Sequence, residues 1–134
     1  DLAGADVMTK WLKDHNITTD QIAIHDGSGL SRLDFVTPEA IGRALVFAAG
    51  SKFADVFENS LPIAGQDGTL RGRFKNADGK ILAKTGSITY VNSLAGFAQS
   101  GKETFAFVII GNDLTRSGNS TAVIDRAASL FVEN

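Results

Sequence analysis

Apolar residues recur at helical intervals in the first stretch of the chain: Leu2, Ala5, Met8, Trp11 and Leu12, with charged residues between them. That spacing predicts a helix from Leu2 to His15, and Asn16 suits its C-terminal stop. Thr18-Thr19-Asp20 then reads as a turn, and Gln21 to His25 as a short strand or extended segment. The helical pattern returns at Thr37-Pro38-Glu39. A threonine can accept from a free backbone N–H at a helix start, proline fits the first helical position, and glutamate is favoured in the first turn. Ile41, Ala44, Leu45 and Ala48 share one side of that helix, which should end near Gly50. A further helix is expected from Ser51 to Asn59, with Phe53, Val56 and Phe57 turned inward.

Pro62 and the glycines from Gly65 to Gly72 break regular structure, although Thr69 to Phe74 could form a short helix. Gly79-Lys80-Ile81-Leu82-Ala83 reads as a strand opening after a turn, and Leu94 to Gln99 and Thr104 to Ile110 as two more. Ser100-Gly101-Lys102-Glu103 has the character of a hairpin turn between the last two. After a stretch from Asn112 to Asn119 that reads as flexible, Ser120 or Thr121 opens a last helix. Its apolar positions are Ala122, Val123, Ala127, Leu130 and Phe131. The order is helix, loop, helices, three antiparallel strands, helix. Strands covered by helices in this order make one α+β unit, an α/β sandwich, over residues 1–134.

Composition narrows the possibilities. At 134 residues, 43% hydrophobic and 21% charged, the chain is long enough to bury a core and is not a disordered composition. A formal net charge of −2 with no basic face argues against nucleic-acid binding. No apolar run approaches the roughly 18 residues of a membrane span, and no signal peptide is visible at Asp1. Cysteine is absent, which excludes disulfides, thiol nucleophiles and thiolate metal sites. His15 and His25 stand ten residues apart with no local carboxylate pairing, so they read as surface or satisfied residues, not metal ligands. No cofactor is implied.

Candidate chemistry concentrates in a few motifs. Lys84-Thr85-Gly86-Ser87 follows the first strand, and a Lys-Thr-Gly triplet on a strand is one part of the active-site set of penicillin-binding proteins and serine β-lactamases. Alone it reads first as a plain strand-end turn, and its context decides otherwise. Upstream, Asp26-Gly27-Ser28-Gly29-Leu30-Ser31-Arg32 marks a tight loop, and Leu61-Pro62-Ile63-Ala64-Gly65-Gln66-Asp67-Gly68-Thr69-Leu70 lies between the two. Downstream comes Asn92-Ser93-Leu94-Ala95-Gly96-Phe97. Together these resemble the D-alanyl-D-alanine carboxypeptidase/endopeptidase family of class C low-molecular-mass penicillin-binding proteins, the S13 peptidase type. The resemblance covers most of the chain. It implies the C-terminal part of a β-lactamase/transpeptidase-like catalytic domain: three strands of a five-stranded antiparallel sheet, with the remaining strands and the nucleophile helix outside this chain.

The resemblance also implies roles. Acyl transfer needs an activated nucleophile, a proton shuttle and donors for the oxyanion and the substrate carboxylate. In this family the nucleophile is the serine of S-x-x-K, and no serine here has a lysine three residues later. The chain is therefore expected to be a C-terminal portion of a longer enzyme, inactive alone. Ser31 matches the serine of the family's second motif, S-x-N, and is expected to relay a proton. Position 33 is leucine, so either Asp34 or a backbone group takes the asparagine's place or substrate contacts are altered, and Asp34 could instead cap the next helix. Lys84 and Thr85 are expected to hold a terminal carboxylate, and Gly86 to let backbone approach ligand closely. Ser87 is expected to offer its N–H to the oxyanion. The Ser31 hydroxyl and the Lys84-Thr85-Gly86 strand should face one groove. Asp67 is read as a turn former or a loop-orienting group, and Arg71 and Arg73 as solvated or structurally paired.

The implied partners are peptidoglycan stem peptides ending in D-Ala-D-Ala, β-lactams as inhibitors, and the missing N-terminal part of the same protein, in a periplasmic or extracytoplasmic setting. Two other readings remain: a non-catalytic module that binds cell-wall peptide or protein through the same groove, and a serine β-lactamase relative. The Asp26 to Ser31 loop and the Leu61 to Leu70 stretch fit the β-lactamase less well.

Overall fold

The helices that open at Pro38 and at Ser120 each start at a side chain that meets a free N–H. Thr37 Oγ1 accepts from the Ala40 N–H at 3.1 Å, and Pro38 opens a helix that runs Pro38–Ala49 (α2). The first helix is Leu2–Asp14 (α1), and Asn16 follows it with a φ of 57°, the left-handed conformation that asparagine tolerates best after glycine. In this computed structural model the described residues are 2–17, 19–77, 79–112 and 119–132. Thr18 of the expected turn, most of the Asn112 to Asn119 stretch, and the Leu2 side chain lie outside them.

The expected helix from Ser51 to Asn59 is shorter, Ala54–Asn59 (α3). Its inward face is also narrower than expected. Phe53 is 60% and Val56 72% exposed, and only Phe57 turns in, edge-on to Phe97 at 6.4 Å between ring centroids. Thr69 to Phe74 does not form a helix of that length; a single 3-10 turn spans Gly68–Leu70. Gln21 belongs to the preceding turn, closed by Ile22 N–H on Thr19 O, and Ile22 to His25 carries one antiparallel bridge from Ala23 to Phe35.

The three strands are Ile81–Ile88 (β1), Val91–Ser100 (β2) and Glu103–Gly111 (β3), antiparallel in the order β1-β2-β3. Thr89 and Tyr90 make the first turn, Tyr90 with φ 67°, and Gly101 with φ 59° helps make the second. Strand alternation divides the sheet into two faces. Ile81, Ala83, Leu94, Ala98 and Phe107 point into a core completed by Leu70, Phe74 and Ala77 and by Ile124, Ala128 and Val132. Ile124 and Ala128 belong to the last helix, Ser120–Ser129 (α4), capped by Asn119, whose side chain accepts from the Ala122 N–H. Here too the buried stripe differs from the expected one: Val123 and Leu130 are exposed, while Phe131 stacks on Phe107. On the opposite face α2 packs against β3, with Gly42 beside Val108.

Gly96 is what lets the hairpin close at its centre. A Cβ there would overlap the Leu82 carbonyl oxygen and stand 2.6 Å from Ala83 Cα, so only glycine fits opposite Ala83. The outer edge of β1 is partly covered. Ala64 N–H donates to Ile81 O at 2.9 Å and Ala83 N–H to Pro62 O at 3.0 Å, so residues 62–64 pair with the first half of the strand.

Candidate active site

The edge bonds of β1 fix where the rest of its backbone points. The outward groups are those of Ile81 and Ala83, and Lys80 O faces the other way, accepting from Gln99 N–H at 2.8 Å. Because backbone direction alternates along a strand, the Thr85 carbonyl and the Ser87 N–H also point outward, beyond the reach of residues 62–64. The Lys84 ammonium donates to that Thr85 carbonyl at 2.6 Å. β1 is an end strand, so this half of its edge meets no other strand among the described residues.

Side chains of the Lys-Thr-Gly run leave the strand on opposite faces. Thr85 and Ser87 share the α4 face, and Lys84 and Gly86 share the α2 face. On the α4 face a small pocket of about 150 Å³ is lined by Thr85, Ser87, Thr69, Arg73, Asn92 and Thr121, among others. The hydroxyls of Thr85 and Thr69 hydrogen-bond at 3.1 Å. Arg73 is held bidentate by Asp125 of α4, with Nε 3.1 Å from both carboxylate oxygens and Nη2 also donating to Oδ1. Asn92 Nδ2 donates to Ser120 Oγ at 2.5 Å and ties the hairpin to the start of α4.

On the α2 face a larger cleft, about 440 Å³, is lined by Ser31, Asp34, Phe35, Ile88, Val91 and Ser93, among others. Lys84 lies on this face but outside the cleft lining, with an exposed side chain. A Cβ at Gly86 would collide with Ser93 Oγ, a hydroxyl that can turn aside, so this glycine leaves room between the strand and its neighbour.

The loop that carries Ser31 is organised by its own side chains. Asp26 Oδ1 accepts from both the N–H and the hydroxyl of Ser28 at 2.8 Å, and Ser28 Oγ accepts from Leu30 N–H at 3.1 Å. The Ser28 N–H, followed by its hydroxyl, holds the Asp26 carboxyl below the usual range of its kind. Ser31 Oγ accepts from Leu33 N–H at 3.2 Å. Asp34 Oδ1 accepts from His25 N–H at 2.7 Å and closes the neck of the loop, while Thr37 caps α2. The helix-capping reading of Asp34 is thereby excluded. Arg32 Nη1 donates to Thr89 O at 3.1 Å, fixing the loop to the turn that ends β1.

Two features escaped the reading of the sequence. The Arg73–Asp125 pair joins residues 52 apart and has no local signature, although a paired Arg73 was one of its two readings. Thr69 stands in the sequence as a member of the Leu61 to Leu70 stretch and as the start of a possible short helix, with no hint of a partner on β1. Asp67 is a loop-orienting group: its Oδ1 accepts from Ile63 N–H at 2.7 Å. Among the described residues no cluster of histidine and acidic side chains could hold a metal ion.

Residues 2–131 match the model of the D-Ala-D-Ala carboxypeptidase 3 (S13) family. A D-alanyl-D-alanine carboxypeptidase from an Actinomadura species is 34% identical over 103 residues, which cover 72% of this chain and 19% of that protein. Carboxypeptidase DacB of Mycolicibacterium smegmatis is 34% identical over 130 residues, 90% of this chain and 28% of that one. The crystal structure of penicillin-binding protein 4 (dacB) from Haemophilus influenzae superposes with a TM-score of 0.82 at 28% identity, over 96% of this chain and 30% of that one. A second structure of the Haemophilus protein, complexed with a novel β-lactam, matches with the same TM-score of 0.82. The chain thus spans less than a third of the length of these relatives.

Proposed function

The chain belongs to the D-Ala-D-Ala carboxypeptidase 3 (S13) family, and we propose that it supplies the C-terminal wall of a serine D,D-peptidase that cleaves peptidoglycan stem peptides. The observation that carries this reading is the open outer edge of β1, with the Ser87 N–H pointing out of it and the Lys84 and Thr85 side chains flanking it from either face. A peptide ending in D-Ala-D-Ala would lie along that edge. Its terminal carboxylate would meet the Thr85 hydroxyl on one side and the Lys84 ammonium on the other, a charge-assisted contact stronger than a neutral one. Gly86 leaves space for the approach, and the Ser87 N–H takes the developing oxyanion.

The nucleophile is a serine outside this chain, since no S-x-x-K occurs in it. Its oxygen attacks the carbonyl of the penultimate residue and its proton passes to a base. The terminal D-alanine then leaves with a proton on its nitrogen. Water hydrolyses the acyl-enzyme and restores the serine. Ser31 serves as the relay across the cleft: its oxygen accepts from Leu33 N–H, which leaves its own O–H proton able to donate. Asp34 lines the same cleft and shapes its substrate side. β-lactams, with a carboxylate and a strained amide, would acylate the same serine, as the complex of the Haemophilus relative with a β-lactam supports. The substrate places the enzyme outside the cytoplasm.

A fluorescent penicillin tests the proposal. The complete protein should become covalently labelled and release the label slowly, whereas residues 1–134 alone should carry no adduct by mass spectrometry. Rapid release would favour a β-lactamase, and failure of the complete protein to label would leave a non-catalytic binding module. A stoichiometric adduct on residues 1–134 would overturn the assignment of roles.

A further inference from the structure

The stretch from Leu61 to Leu70 has no chemical role in the mechanism above, yet it ends against the substrate-facing strand. Its geometry is unusually well fixed. Pro62 and Ala64 bond to the β1 edge, and Asp67 Oδ1 accepts from Ile63 N–H. Gly68 adopts φ 50°, in a place where a Cβ would press on the Pro62 ring at 3.1 Å. Leu70 is fully buried, and Arg73 clamps the far end of the arm to Asp125 of α4. Thr69 lies between these anchors, and its hydroxyl is 3.1 Å from that of Thr85.

We propose that Thr69 is a positioning residue for carboxylate recognition, acting through the Thr85 hydroxyl, and that the arm from Pro62 to Phe74 exists in part to hold it there. This rests on the reading of Thr85 as a carboxylate ligand. A threonine hydroxyl has one proton and rotates freely about its Cβ–Oγ bond. If Thr69 donates to Thr85, the Thr85 proton is released to point toward an anion at the strand edge. The pair then behaves as a short donor chain that polarises toward the negative charge. With no anion bound, Thr85 is free to donate to Thr69 instead. Either orientation keeps the hydroxyl–hydroxyl bond, so the exchange costs little. The arm supplies the rigidity, because a displacement of Thr69 by about 1 Å would take the oxygens out of hydrogen-bond range. The Arg73 guanidinium, its charge balanced by Asp125, forms part of the wall of the same pocket.

The test is the ratio of kcat/KM for a D-Ala-D-Ala peptide to that for the same peptide with its terminus amidated, measured in the complete protein. Thr69→Val keeps the shape and removes the hydroxyl, and should lower the ratio about three- to tenfold, mainly through KM. Thr69→Ser, which restores the hydroxyl, should recover most of it. Thr85→Val should lower the ratio at least as far, and Thr69→Val added to Thr85→Val should lower it no further. Equal loss on both substrates in Thr69→Val, or no rescue by serine, would overturn the inference and make Thr69 a packing residue. If Thr85→Val itself left the ratio unchanged, the underlying reading of Thr85 would fail instead, and the two failures are separate results. Should Thr69→Val fold poorly, Thr69→Ala, which also lacks the hydroxyl and adds no bulk, takes its place in the same comparisons and in the cycle with Thr85→Val.

Discussion

The two walls beside the β1–β2 hairpin are held in opposite ways. The α4-side wall, residues 62–74, is fixed by distant partners: the β1 edge, the core around Leu70, and Asp125. The α2-side wall, the Asp26 to Asp34 loop, is fixed mostly by its own side chains over two to nine residues, with one external tie from Arg32 to the Thr89 carbonyl. The first kind of wall shares the stability of the whole fold. The second can open locally, since its bonds are exposed and break without disturbing the core. A site between them therefore has one stationary side and one that can adjust, which suits the proposed pocket, with a carboxylate fixed on one side and protons moved on the other.

The contrast breaks most visibly at Gly96, behind the stationary wall. Gly96→Ala drives a Cβ into backbone on β1, which cannot turn aside as a side chain can, and should cost about 3 kcal/mol or more. Gly86→Ala meets only the Ser93 hydroxyl and should cost much less. Urea denaturation of the two variants should rank them in that order; equal losses would mean that the strands accommodate a Cβ at either place. Next in size, Arg73→Ala or Asp125→Ala leaves the partner charge largely buried and unpaired, at about 2–3 kcal/mol each. The double variant should be less destabilised than the sum of the two. A simple sum would show that the pair is not coupled and that α4 needs no strut.

Lys84 comes next, with an effect on catalysis and little on folding, because its side chain is exposed. Lys84→Ala in the complete protein should lower kcat/KM for D-Ala-D-Ala peptides by roughly tenfold to a few hundredfold, the equivalent of one charge-assisted bond of about 1.5–3 kcal/mol. Lys84→Arg should retain part of the activity, since charge persists while geometry changes. A substrate without the terminal carboxylate should barely respond to either. Equal slowing of both substrates would move Lys84 from carboxylate binding to the proton relay beside Ser31.

The difference between the walls also decides what could be read before the structure. Thr37-Pro38-Glu39, the Asn16 stop and the order of the three strands follow from residues acting on near neighbours and stand as expected. However, β1 runs on through Lys84-Thr85-Gly86-Ser87 to Ile88, and β2 opens at Val91, ahead of the expected Leu94. The Asp26 to Ser31 loop was legible for the same reason. Phe53, Val56, Val123 and Leu130 were misplaced because helical spacing marks an apolar stripe but not which neighbour covers it. On α4 the sheet takes Ile124 and Ala128 instead, a choice made by the position of Leu94 and Phe107. The Thr69–Thr85 and Arg73–Asp125 contacts join residues 16 and 52 apart and carry no periodic signal. The alternation that sends Lys84 and Thr85 to different faces is implicit in any strand, but only the pairing of Pro62 and Ala64 with its edge shows which backbone groups remain open.

The smallest expected effect concerns the adjustable wall and its pH dependence. The Asp26 carboxyl lies below its ordinary range in the folded chain because Ser28 donates to it twice, first from the backbone. A group whose folded pKa is depressed adds stability above its unfolded pKa and loses it as pH falls through the folded value. The loop should therefore be unchanged from neutral pH down to the ordinary carboxylate range and loosen only below it. Asp26→Asn should abolish that acid step, because an amide accepts the same bonds more weakly and does not titrate. Amide hydrogen exchange at Ser28 and Leu30, followed against pH, reads the step directly. In Asp26→Asn these amides should exchange faster at neutral pH, while those of β1 stay protected and global stability hardly moves. If β1 exchange rose in parallel, the two walls would open as one unit, and the division between a stationary side and an adjustable one would be lost.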